Sequence, residues 1–272
     1  MKWLRFKHHS NAVFGALDGE RVHLHTGDLF GTPSAGGETV ALTDVGWLAP
    51  CTPGKVIGLW NNFRAAAEKN GWAQPAEPLY FLKSPSSVIG HQQPIAVPAA
   101  YDGRVAFEGE LAVVIGRRAR AVSVADAPSH IFGYSCANDV TALELLQRDP
   151  TFPQWTRAKS FDGFGAIGPV IDTAFDPAGA RLRTLVGGRE RQNYALGDMF
   201  FNPAELVSRI SYDMTLEPGD VILCGTSLGV LPMKPGSTYS TENSTKAQRG
   251  RRLTADCVTK AGDGIFMCQV TG

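Results

Sequence analysis

The chain has 272 residues, enough for one large folded unit, or one large plus one small, with a sizeable core. Its 26 basic residues balance 26 acidic ones, which argues against nucleic acid or an anionic membrane as partner and leaves a small molecule as the default. No apolar run approaches a membrane span, and five widely spread cysteines without a C-x-x-C pair give no sign of a zinc or redox motif and fit a reducing, cytoplasmic setting.

Met1 to His9 is basic, but no unbroken apolar segment follows, so it does not read as a signal peptide. Residues 1–50 read as a small β module, with strand-like pieces at 4–6, 12–17 and 21–25 separated by turn residues. His8, His9, His23 and His25 read there as solvated strand and terminal histidines. Pro50-Cys51-Thr52-Pro53-Gly54 is a linker by composition, and a main domain, 51–272, begins with the buried strand 55–59.

Residues 61–71 predict a short helix, with asparagine at its start, alanines inside and Asn70-Gly71 at its end. After a proline-rich loop, strand 79–82 closes on Lys83, a common place for a charged side chain to meet a ligand, and 95–98 is another strand. Further on come a strand at 108–116, a short helix at 124–129 and a strand at 131–136 that delivers Asp139. Lys159 and Asp162 follow in an aromatic setting. An amphipathic helix is expected near 203–210 and a buried strand at 220–224, running into Gly225-Thr226-Ser227-Leu228-Gly229. Glycines flanking a threonine after a strand can present a hydroxyl and backbone N–H groups to an anion. The polar stretch 238–252 reads as an exposed, mobile insertion.

The chemistry centres on Phe107-Glu108-Gly109-Glu110, at the head of the run Leu111 to Ile115. In an extended strand Glu108 and Glu110 share a face, where two like charges ask for a cation or a basic partner. Two carboxylates on a solvated strand face would be the ordinary alternative, but a near-continuous apolar run marks a strand covered on both sides. Asp139 is the best third oxygen donor. Three carboxylates without histidine or cysteine suit a hard divalent ion, Mg²⁺ first, then Mn²⁺ or Ca²⁺.

Taken together, 56–63, 78–83, Glu108-Gly109-Glu110-Leu111 with 114–116, Gly133-Tyr134, Asn138-Asp139-Val140, 159–162 with Gly168-Pro169, and 219–222 with Gly225-Thr226 resemble the fumarylacetoacetate hydrolase family. The pieces fall in the family's order over about 55–240. The resemblance implies an α+β, mostly β fold, a mixed β-sheet roll as catalytic domain behind a small N-terminal β module, and a homodimer. It implies a divalent metal, Mg²⁺ or Mn²⁺, on Glu108, Glu110 and Asp139, and a small 2-oxo acid or acylpyruvate as substrate. Lys159 matches the family's lysine beside the metal, and Thr226, after Gly225, matches a residue that holds the substrate carboxylate; Lys83 joins them as a substrate contact.

Two departures bear on the reaction. Hydrolytic members carry N-Y-x-x-H with a glutamate three residues on, where His and Glu activate water. Aligning Asn62-Phe63 on that motif puts Ala66 at the histidine and Lys69 at the glutamate, with Glu68 one residue away as a substitute catalytic base. An arginine common after the Asn-Asp-Val segment is here Leu143. Family frequency favours C–C bond hydrolysis, which is the reaction expected first. The missing dyad favours a decarboxylase or keto–enol isomerase, or a non-catalytic metal-binding relative.

Overall fold

The structure, a computed structural model, describes residues 1–234, 236, 238–244 and 265–271. The run at the centre of the sequence becomes the strand Gly109–Ile115, buried at every position. It lies inside a sheet between Ile131–Asp139 and Val221–Leu223, both antiparallel to it. That enclosure is why its apolar residues do not alternate with polar ones.

The main sheet runs in the order Ser34–Ala41, Arg21–Thr26, Asn11–Asp18, Lys2–His8, Gly165–Asp172, Ile131–Asp139, Gly109–Ile115, Val221–Leu223, Val56–Trp60, Leu79–Lys83. Most pairs are antiparallel, while Val221–Leu223 with Val56–Trp60 is parallel, so the sheet is mixed. The first four strands join the rest through Lys2 opposite Asp172 and Trp3 opposite Ile171. A second sheet, Arg189–Ala195, Arg181–Val186, Thr238–Ser244, Ile265–Thr271 and Pro94–Ala96, closes the mostly β, α+β roll that the resemblance implied. One core lies where Leu111, Val113 and Ile115 meet Leu182, Leu206 and Ile210.

Of the two helices expected at 203–210 and 61–71, the first begins as predicted and runs on to Asp213, while the second begins later. The amphipathic helix is Pro203–Asp213, with proline in its first turn. Asn202 accepts the Glu205 N–H at 3.1 Å while Glu205 accepts the Asn202 N–H at 2.8 Å, a reciprocal cap. Helix α1 is Arg64–Asn70, three residues shorter at its start than predicted, and ends on Gly71 at φ +68°. Asn62 does not cap it, because its amide is spent elsewhere: Nδ2 donates to the carbonyls of Phe201 (3.1 Å) and Cys224 (2.8 Å), and Oδ1 accepts the Phe201 N–H. The free Ala65 N–H is taken by Asp198, 133 residues away, at 3.0 Å.

Two predictions are corrected outright. The helix at 124–129 is a 3₁₀ turn, Ala127–His130, set by a Ser123 and Asp126 side-chain exchange that competes with helix continuation. In the polar insertion, Thr238–Ser244 is a strand paired on both sides, with Arg181–Val186 and Ile265–Thr271. Tertiary pairing overrides its composition there; 245–252 lie outside the described residues. Among the described residues, no helix is long and apolar enough to cross a membrane.

Candidate active site

Antiparallel pairing gathers the three carboxylates. Gly109 stands opposite Asn138, which brings Glu108 beside Asp139 although 31 positions separate them in the chain. The register is locked there: the Asp139 N–H donates to the Glu108 carbonyl at 2.8 Å, and Asn138 Oδ1 accepts the Glu108 N–H at 3.0 Å. Oxygen atoms of Glu108, Glu110 and Asp139 all lie within 4.8 Å of one another. Glu110 and Asp139 are fully buried, and Glu108 keeps a partly open edge.

Two lysines face this group. Lys159, the last residue of helix α3 (Trp155–Lys159), lies with Nζ 2.6 Å from Asp139 Oδ2 and 2.8 Å from Glu108 Oε2. Burial would pull its ammonium down, but the charges of Asp139, Glu108 and Glu110 outweigh it and hold Lys159 above its ordinary value. Lys83 contacts the other Asp139 oxygen at 2.6 Å and donates to the carbonyls of Lys159 and Val140, with its side chain wholly shielded from solvent. Its three donors are therefore committed behind Asp139, and it does not line the cleft where the sequence reading placed it as a substrate contact.

Glu110 is the unusual member. Gly225 donates its N–H to Glu110 Oε2 at 2.7 Å, but Oε1 is buried with no hydrogen-bond partner among the described residues. Burial first, then the neighbouring charges of Asp139 and Glu108, push this carboxyl well above the usual carboxylate range, against the pull of Lys159 and the Gly225 N–H. Gly225 sits at φ +87°, a conformation that favours glycine, so the N–H seen by Glu110 depends on the residue type. The glycine read as an anion contact thus serves a carboxylate of the protein itself.

A cleft of about 310 Å³ opens over Glu108 and Lys159. Helix α1 forms one wall through Ala66, Lys69 and Asn70, and the loop Thr226 to Val230 forms another. Glu68, one residue out of phase with Ala66 and Lys69, is exposed and does not line the cleft. Among the described residues lining it, Lys69, Glu108 and Lys159 are the ionisable ones, and no histidine is present. Asn61 lines the same cleft in a left-handed conformation (φ +54°); its Nδ2 donates to the Ala73 carbonyl, while its buried Oδ1 has no partner among the described residues.

Gln192 was not visible as a site residue in the sequence. From the second sheet it accepts the Gly109 N–H at 2.9 Å and donates to Thr226 Oγ1 at 2.8 Å, tying the Glu108–Glu110 backbone to the threonine loop. Thr226 in turn donates to the Gly109 carbonyl at 3.0 Å, so its hydroxyl proton points at the protein. The available signal was alternation: Gln192 and Tyr194 are the buried, same-face positions of an otherwise polar strand. Thr141, also unassigned from sequence, donates to Glu108 Oε1 at 2.9 Å.

This donor set fits a hard divalent cation: three carboxylates, no nitrogen or sulfur ligand, and one buried carboxylate oxygen without a partner. His8, His9 and Glu38 also offer ligand atoms within 4.8 Å of one another, on the N-terminal strands, with His8 Nε2 2.9 Å from Glu38.

The family model described as fumarylacetoacetate (FAA) hydrolase, C-terminal, matches residues 55–268, and one described as Rv2993c-like, N-terminal, matches residues 1–50. The chain is 43% identical over 214 residues to protein Rv2993c of Mycobacterium tuberculosis, covering 78% of this chain and 79% of that one. It is 37% identical over 180 residues to the oxaloacetate tautomerase YisK of Bacillus subtilis, covering 64% and 59% of the two. The crystal structure of 2-hydroxyhepta-2,4-diene-1,7-dioate isomerase from Mycobacterium marinum superposes with a TM-score of 0.85 at 35% identity, over 100% of this chain and 98% of that one.

Proposed function

The chain belongs to the fumarylacetoacetate hydrolase family, and on that premise we propose that it is a metal-dependent keto–enol tautomerase of small 2-oxo acids. One observation carries the choice of reaction: the α1 wall of the cleft presents Ala66 and Lys69, with no histidine and no carboxylate among its described residues to activate water. C–C bond hydrolysis needs such a base; tautomerisation needs charge stabilisation and one proton carrier. The names of two relatives, a tautomerase and an isomerase, point the same way.

Glu108, Glu110 and Asp139 would hold Mg²⁺, or Mn²⁺ in its place, and the bound ion would supply Lewis-acid polarisation of the adjacent carboxylate and keto oxygens. Lys159, fixed as a cation by Asp139 and Glu108, stabilises the negative charge that develops on the enolate oxygen. Lys83 holds the far oxygen of Asp139, so that carboxylate cannot swing away from the site. Lys69, an ionisable group on the α1 wall of the cleft, gives its proton to the substrate carbon while the enol hydroxyl releases its own to solvent, and Lys69 then recovers one from solvent. The loop Thr226 to Val230, which lines the cleft, would receive the substrate carboxylate through groups other than the Thr226 hydroxyl, whose proton goes to the Gly109 carbonyl. A division at residue 50, a homodimer and a cytoplasmic location belong to the same proposal.

The test follows the decay of enol absorbance of 2-oxo acids with Mg²⁺ and with chelator, together with product analysis. Metal-dependent loss of the enol band with the carbon skeleton intact is expected. Release of pyruvate plus an acid, or of CO₂, as the main course would replace this reading with hydrolysis or decarboxylation.

A further inference from the structure

Resting on the tautomerase reading of this cleft, we infer that the substrate ends in an uncharged, planar apolar group on the side remote from its carboxylate, such as an aryl ring. Aromatic side chains lead outward from Lys159 in sequence of contact. Its Nζ lies 5.1 Å from the centre of the Phe81 ring; Phe81 stacks on Trp155 at 5.3 Å and 15°; Trp155 lies 5.9 Å from Trp60, and Trp60 5.0 Å from Trp72. This wall is built into the sheet. Phe81 stands opposite Gly58 on the neighbouring strand, and its ring covers the glycine so closely that a Cβ there would collide with it.

Leu143 and Leu146, from the short helix α2 (Leu143–Leu146), complete this end of the cleft. A second hollow of about 380 Å³ adjoins it, sharing Trp60, Phe81, Leu146 and Trp155 and lined by no charged residue among those described. Among the described residues, Lys69 is thus the one cation lining the cleft beyond Lys159, and it belongs to the α1 wall. A substrate with a second carboxylate at its far end would strip that group of water against leucine and tryptophan without a matching charge. A flat apolar group would instead gain stacking and burial there. Leu143 is the position that decides between the two, since a cation there would face the tail.

Two inert oxamates that share a head and differ in the tail separate this inference from the reading beneath it. Binding of oxanilate (a phenyl tail) and N-oxalylglycine (a carboxymethyl tail) is measured by calorimetry with Mg²⁺ present. Oxanilate should bind roughly ten- to a hundred-fold more tightly, the gain expected for burying one aromatic ring. Leu143→Arg should shrink or invert that ratio, and Trp155→Ala should weaken oxanilate while leaving N-oxalylglycine unchanged; a ratio taken within one protein is insensitive to loss of folded fraction. Equal or tighter binding of N-oxalylglycine by the wild type overturns the apolar-tail inference and leaves the tautomerase reading standing. Failure of both compounds and of oxamate itself to bind overturns the shared head site, and this inference with it.

Discussion

Lys83 Nζ lies 2.6 Å from Asp139 Oδ1, with both side chains out of solvent, while Lys159 holds the other oxygen of the same carboxylate at 2.6 Å. Burial raises the Asp139 carboxyl, but the charges of Lys159 and Lys83 outweigh it and hold the group below its ordinary value. Removing Lys83 leaves a buried charge half compensated and two backbone carbonyls without their donor. Lys83→Met should therefore destabilise the fold by about 3–5 kcal/mol, the range for breaking a buried ion pair from one side. Urea unfolding with Mg²⁺ absent measures this, and a loss under 1 kcal/mol would make the pair dispensable to the fold.

Lys159 contacts the same carboxylate but also lines the cleft, so its loss should read out in rate. Lys159→Met is expected to lower tautomerase turnover by roughly two to three orders of magnitude, the usual effect of deleting one oxyanion donor. Mg²⁺ titration of the same variant should still show binding. Near-normal turnover would remove Lys159 from the chemistry.

Much of this was legible in the sequence, for identifiable reasons. Glu108, Glu110 and Asp139 stood out because carboxylates beside a doubly covered strand violate the burial rule for charges, and a violation is visible in one dimension. Lys83 carried no mark to tell a lysine behind the site from one inside it; that distinction depends on the depth of Leu79–Lys83 at the sheet edge. Gln192 was hidden because its polar side chain serves a contact from the second sheet to the Thr226 loop, and the Thr238–Ser244 strand because its pairing partners lie far away in the chain; local pattern encodes neither. Glu68 was a candidate by proximity in sequence, but helical phase separates it from Ala66 and Lys69.

The buried carboxyl of Glu110 sets a pH dependence whose sign is fixed. Its folded-state pKa is raised, so in the metal-free protein the native state keeps a proton that the unfolded chain has released. Stability should then fall as pH rises from the ordinary glutamate value through the raised one, and Glu110→Gln should flatten this slope. At neutral pH the variant should be more stable without metal, by on the order of 1 kcal/mol or a few degrees in Tm. Mg²⁺ binding to the wild type should release a proton, seen as calorimetric heats that depend on the buffer, and Glu110→Ala should abolish binding. A metal affinity unchanged in Glu110→Ala would sink the assignment of this ligand.

The final expectation concerns helix α1, which turns Ala66 and Lys69 toward the cleft and Glu68 away from it. If Lys69 carries the proton, Lys69→Met should slow tautomerisation roughly a hundred-fold, the lower end for loss of a general acid. Glu68→Gln should change no activity, because its side chain does not reach the cleft. The double change Ala66→His with Lys69→Glu places an imidazole and a carboxylate three residues apart on the inward face of the helix, where residues at that spacing are neighbours. The pair can draw a proton from water, the step the native cleft lacks, so acylpyruvate cleavage to pyruvate and a carboxylic acid should appear. Lys69→Glu alone supplies the orienting group without the base and should not produce it. Product analysis at saturating Mg²⁺ compares wild type, both single changes and the double. Efficient cleavage by the wild type, lost in Glu68→Gln, would mean that the helix turns to bring Glu68 over the site and that hydrolysis is the native reaction.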